Sequence, residues 1–136
     1  GWFGKRNDDT TSLGDWFVDV KKLPAGLGDV GRRIQAEGLS FGLWFEPEMV
    51  SPDSELYRAH PDWCLHIPGR ARTEGRHQLV LDFSRPEVVD AIYAQVAAIL
   101  RSAPIHYVKW DMNRDLTEVG SAGWPAERQG EIFHRH

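Results

Sequence analysis

The 136-residue chain carries 16 Lys and Arg against 20 Asp and Glu, a net charge of −4, with 41% hydrophobic, 11% aromatic and 26% charged residues. That is the make-up of a chain that folds on a core, and its acidic balance gives no electrostatic reason to expect nucleic acid or an anionic membrane as a partner. No apolar run approaches the roughly 20 residues of a membrane span, and the single cysteine, Cys64, can make neither an intrachain disulfide nor a cysteine-only zinc site, which favours a cytoplasmic location.

Gly1-Trp2-Phe3-Gly4 opens without an initiator Met or a leader, and Glu131 to His136 reads as a helix with no terminating Gly or Asn. Residues 1–136 are therefore expected to be a fragment of a single domain, truncated at both ends. Asp15 to Asp19 leads through Pro24 to a helix over residues 26–37, where Leu27, Val30, Ile34 and the stem of Arg33 recur at helical spacing until Gly38 stops it. Leu39 to Phe45 then reads as a strand buried on both faces, ending in polar Glu46-Pro47-Glu48. Pro52 to His60 predicts one or two helical turns, and Trp63 to Ile67 is expected to pair with Gln78 to Phe83 as a hairpin. From Arg85, with Pro86 at the first helical position, Val88, Val89, Ile92, Val96, Ile99 and Leu100 mark an amphipathic helix that Pro104 closes. Ile105 to Trp110 predicts a second buried strand, followed by Asp111, Asn113, Arg114 and Asp115. Strands alternating with helices in this order imply a parallel α/β fold.

Such folds place their chemistry at the carboxyl ends of the strands. Alternation along an extended chain puts Lys109, Asp111 and Asn113 on one side. An ammonium beside a carboxylate keeps it ionised, as a nucleophile requires, and Lys109 or Asn113 can bind hydroxyls next to a reacting carbon. The same spacing also suits a Lys–Asp ion pair of structural value alone. The other strand end offers Trp44, Glu46 and Glu48; these carboxylates suit glycoside hydrolysis, or they cap loop amides or pair with arginines. Six Trp residues supply surfaces for sugar stacking or for core packing. His60, His66 and His77 lack metal-ligand spacing, and neither a glycine-rich phosphate loop nor a serine nucleophile elbow is present.

Several segments in order, Gly1-Trp2-Phe3-Gly4, Leu13-Gly14-Asp15-Trp16, Phe41 to Val50, His60-Pro61-Asp62-Trp63, Arg76 to Arg85 and Lys109 to Arg114, closely resemble α-galactosidases of glycoside hydrolase family 36. The resemblance runs from Gly1 to about Ser121. It implies a (β/α)8 TIM barrel, of which this chain would hold the tail of strand unit 2 and units 3 and 4, with a hairpin insertion after strand 3. It also implies hydrolysis of terminal α-galactosyl groups from melibiose, raffinose or stachyose with retention of configuration, no metal or organic cofactor, and a homo-oligomeric parent.

By the same resemblance Asp111 is the nucleophile, Lys109 and Asn113 bind hydroxyls beside it, Trp44 lines the galactose pocket, and Arg76 reaches the sugar. On spacing alone Arg76 reads as a loop ion pair. The family's aspartate pair before Gly-Trp-Phe-Gly falls outside the chain, and no carboxylate after Asp111 suits the acid/base, which in retaining enzymes stands roughly 5 Å from the nucleophile. The chain alone is therefore expected to be inactive. A non-catalytic carbohydrate-binding fragment and a related α-glycosidase or galactosyl-transferring enzyme are the alternatives.

Overall fold

The computed structural model describes residues 1–136. An N-terminal loop doubles back on itself, with a single antiparallel bridge between Phe3 and Val18, and leads into helix α1 (Gly26–Ala36). The end of α1 is built as the sequence implies. Gly38 takes a φ of +75°, its N–H reaches Gln35 O at 2.9 Å and Leu39 N reaches Ile34 O at 3.2 Å, so a left-handed glycine satisfies carbonyls that the helix leaves open.

Strand β1 (Gly42–Phe45) follows, and then the two-residue strand β2 (Met49–Val50). Helix α2 (Glu55–Ala59) is capped by the Ser54 hydroxyl, which accepts from Tyr57 N, and Pro61–Trp63 adds a 3-10 turn. Strand β3 (Leu79–Val80) precedes the long helix α3 (Pro86–Ser102). Proline at its first position needs no N–H partner, and extended Ala103 before Pro104 ends it, because proline disfavours a helical residue ahead of it. Strand β4 (Tyr107–Trp110), a 3-10 segment over Ala126–Glu131 and helix α4 (Ile132–Arg135) complete the chain.

β1 and β4 pair in parallel, with Trp44 opposite Lys109 and Phe45 opposite Trp110. Gly42 makes the start of this pairing possible, since a Cβ there would sit 2.6 Å from Tyr107 Cδ1. Leu43 and Phe45 of β1, Val88, Ile92, Val96 and Ile99 of α3, and Leu27 of α1 belong to one core cluster. An aromatic wedge joins the N-terminal loop to this core: Phe3 lies 4.4 Å from Trp16 between ring centroids, Trp2 lies 5.3 Å from Phe45, and Trp2 Nε1 donates to Trp44 O at 3.0 Å. No helix is long and apolar enough to cross a membrane.

Three expectations change. The strands are shorter and less buried than their apolar runs imply: Leu39 is 65% exposed, Tyr107 62% and Trp110 55%. Within residues 1–136, β1 and β4 pair only with each other, so each strand has one edge that no other part of this chain covers. Helix α3 likewise leaves Val89 and Leu100 exposed, and its packed face is narrower than the apolar pattern. The hairpin also has a different partner. Leu79–Val80 forms its ladder with Met49–Val50, while residues 63–65 flank it with the single bridge Cys64–Leu81 and bonds from Leu65 N to Val80 O and from Asp82 N to Trp63 O.

Candidate active site at the ends of the parallel strands

The parallel register carries both strands to carboxylates at the same end: Glu46 follows Phe45, and Asp111 follows Trp110. Asp111 N donates to Phe45 O at 2.8 Å, which extends the pairing one residue beyond the ladder and fixes where the Asp111 side chain leaves the backbone. Because Trp44 and Lys109 are register partners, their side chains share the face on which Asp111 stands.

Asp111 is surrounded by donors. Trp44 Nε1 donates to its Oδ2 at 2.9 Å, Met112 N donates to its Oδ1 at 3.2 Å, and Lys109 Nζ lies 3.9 Å from Oδ2. Its carboxyl is held below the usual range by the Trp44 indole first and the Asn113 side chain second; burial opposes them and outweighs Lys109, with Met112 N contributing after Lys109. The spacing points to Lys109 as the group that keeps Asp111 ionised. It does less because it is 60% exposed and at the edge of ion-pair distance, whereas the indole N–H is directed at the oxygen. Asp111 itself is 28% exposed, so one side of an ionised carboxylate remains open to a ligand.

Glu46 is the opposite case. It is 1% exposed, and its Oε1 accepts from Asn113 N at 2.8 Å. Burial pushes its carboxyl up, Asn113 opposes the shift, and the neighbouring Asp111 adds to it. Of the readings open for this residue, the structure gives the capped loop amide. Glu48 instead accepts the Trp110 indole N–H, at 2.9 and 3.0 Å. Lys109, Asp111, Asn113, Trp44 and Glu46 therefore form one linked cluster.

Arg76 does not join it. Its Nη2 lies 3.9 Å from Asp9 in an exposed loop pair, the arrangement that spacing alone implied. Among later carboxylates, Glu118 is bound by Thr73 and held down, first by the Thr73 hydroxyl, and Glu131 is held to about 2 by Arg128 and Arg135. A general acid needs the reverse shift. His60 stacks on Trp63 at 3.8 Å between ring centroids, and no group of three His, Cys, Asp or Glu gathers as a metal site.

Two contributors escaped the sequence reading. Arg6 is buried to 8% exposure, donates to Thr11 O at 2.6 Å and partly offsets the charge of Glu46 from a loop 40 positions away in the chain, a distance no local pattern bridges. Asp15 is buried and accepts from Glu55 N and Leu56 N, so it caps α2 from a distant segment. Its place in Leu-Gly-Asp-Trp was the available signal.

Comparison with known proteins finds relatives that match the chain along its whole length. The chain is 61% identical over 136 residues to alpha-galactosidase AgaA of Geobacillus stearothermophilus, covering 100% of this chain and 19% of that protein. The crystal structure of the GH36 alpha-galactosidase AgaB from the same organism superposes with a TM-score of 0.97 at 61% identity, over 99% of this chain and 19% of that one. Crystal structures of AgaA variants in complex with raffinose and with stachyose superpose with a TM-score of 0.96 at the same identity and coverage. The chain thus spans about a fifth of the length of the relatives it matches. The melibiase family model matches residues 1–136, and with that match over every residue the chain belongs to the melibiase family.

Proposed function

We propose that this chain is a segment, roughly strand units 2 to 4, of the (β/α)8 catalytic domain of a retaining α-galactosidase, and that Asp111 is its nucleophile. The observation that carries the reading is the Asp111 carboxylate, held ionised by Trp44, Asn113 and Lys109 at the end of a parallel strand and still partly open. In this reading an Asp111 oxygen forms a bond to the anomeric carbon as the bond to the leaving sugar breaks. The departing oxygen takes a proton from an acid that this chain does not supply, and water then cleaves the galactosyl ester. Lys109 and Asn113 bind hydroxyls beside Asp111, Trp44 lines the galactose pocket, and Arg76 reaches the sugar from its loop. The raffinose and stachyose complexes of AgaA support terminal α-galactosides of oligosaccharides as the substrate class. Buried Cys64, a free thiol pushed up to about 12 by desolvation, fits a cytoplasmic setting.

Incubation of the complete protein that carries this chain with an activated fluorinated galactosyl fluoride tests the assignment. A galactosyl adduct on the peptide containing Asp111 is expected, and an adduct elsewhere overturns it. The 136-residue chain by itself is expected to give no turnover of an aryl α-galactoside.

A further inference from the structure

The loop that carries Arg76 is held in an unusual way. Gly75 N donates to Gln78 O at 3.2 Å and Gln78 N donates to Gly75 O at 3.0 Å, closing a two-residue turn. Its central residues Arg76 and His77 both have positive φ, 55° and 57°. Positive φ at both central positions is the mark of the type I′ turn, which favours Asn-Gly because a larger residue there crowds its own carbonyl. Neither side chain offers much local compensation: Arg76 reaches Asp9 at 3.9 Å and His77 reaches Glu74 at 4.0 Å, all exposed.

The turn is gripped from the segment that follows the nucleophile. Arg114 Nη1 donates to Thr73 O and to Gln78 O, each at 2.7 Å, one on either side of the turn. Glu118 accepts from Thr73 N at 2.6 Å and from the Thr73 hydroxyl. Thr117 Oγ1 lies between the two, 3.2 Å from Arg114 Nη2 and 3.3 Å from Glu118 Oε2. Nη1 carries two hydrogens, one for each carbonyl, while the planar guanidinium presents Nη2 to Thr117, an arrangement that the point-charge head of a lysine does not reproduce. Since Asn113 is in turn fixed by Glu46, the nucleophile and the Arg76 turn are referenced to one short stretch, residues 111–118.

We infer that Arg114 and Glu118 form a strap that sets the Arg76 turn relative to Asp111, which makes them positioning residues for galactoside binding. This rests on the reading of Arg76 as the sugar-binding arginine. The test measures kcat and KM for an aryl α-galactoside, and amide exchange at Thr73 and Gln78, in the complete protein. Arg76→Ala is expected to raise KM, and Arg114→Lys to raise it about tenfold, the effect of losing a charge-assisted hydrogen bond. Arg114→Lys should speed exchange at Thr73 and Gln78 without moving the acid limb of kcat/KM, and should add nothing to Arg76→Ala. An unchanged KM in Arg76→Ala overturns the Arg76 assignment and the strap with it. A raised KM there, with Arg114→Lys silent or its effect multiplying in the double variant, overturns the strap alone. Should Arg114→Lys fail to fold, Glu118→Gln carries the same test, with a smaller rise in KM expected and an unchanged one decisive against the strap.

Discussion

β1 and β4 run side by side in register and each hands over to a carboxylate, yet the two carboxylates live in opposite conditions. Glu46 is enclosed, bound to a backbone N–H, and pushed towards its neutral form by burial. Asp111 is part exposed, bound by an indole, an amide and an ammonium, and held in its charged form. The difference arises from what each strand end meets. Glu46 turns into the protein, where Arg6 is the cation that acts on it and only weakly, whereas Asp111 faces the side shared by Trp44 and Lys109. Two acids at one strand end can thus serve different ends, one holding the loop and the other left free to react.

The largest effect should come from removing the exposed member. Asp111→Ala is expected to lower kcat of the complete enzyme by about four orders of magnitude, the scale seen when one member of a catalytic set is deleted, as read by aryl galactoside hydrolysis. The buried member should fail differently. Glu46→Ala leaves Asn113 N without its acceptor and a void beside it, a loss of about 2–3 kcal/mol of stability that a urea midpoint would reveal.

Glu46→Gln keeps an acceptor and discards the charge, which sharpens the contrast. Glu46 has a folded pKa above its unfolded one, so the folded state binds the extra proton, and wild-type stability falls as pH rises through that window. At pH 7 the Gln variant should be at least as stable as the wild type, and its advantage should vanish as pH drops towards the unfolded pKa. A Gln variant much less stable at pH 7 would refute the account of Glu46 as a strained acceptor.

For Asp111 the sign reverses. Its folded pKa is depressed, so it adds stability above the unfolded pKa that is lost as pH falls through the folded one. Trp44→Phe removes the foremost donor and should move the acid limb of kcat/KM to higher pH. Lys109→Met should move it the same way but least of all, and the difference from wild type should shrink further in salt, because Lys109 is exposed and 3.9 Å away. A larger shift from Lys109→Met than from Trp44→Phe would invert the ranking of donors.

Much of this was legible in the chain. Gly38, Pro86 and Pro104 delimit α1 and α3 by backbone chemistry that acts locally, and alternation after Tyr107 aligned Lys109, Asp111 and Asn113 without reference to any other segment. What could not be read depends on register or on neighbours. The indole that grips Asp111 is 67 positions away, and only the parallel pairing of Trp44 with Lys109 brings it there. The true partner of β3, Met49–Val50, is too short to show a period, while Trp63 to Ile67 looked longer and apolar and formed a single bridge. Arg114 stood in the quoted cluster, but its two carbonyl acceptors belong to a turn some 40 residues earlier, and no spacing rule links them.

The bond from Trp44 to Asp111 has one more consequence, because the donor is also a chromophore. A full negative charge 2.9 Å from an indole nitrogen perturbs its excited state, and esterification of that carboxylate removes the charge while the ring stays packed near Phe3. On the proposed assignment of Asp111, the fluorescence of Trp44 is expected to change when the carboxylate becomes covalently occupied, a signal that stopped flow can read without an added label.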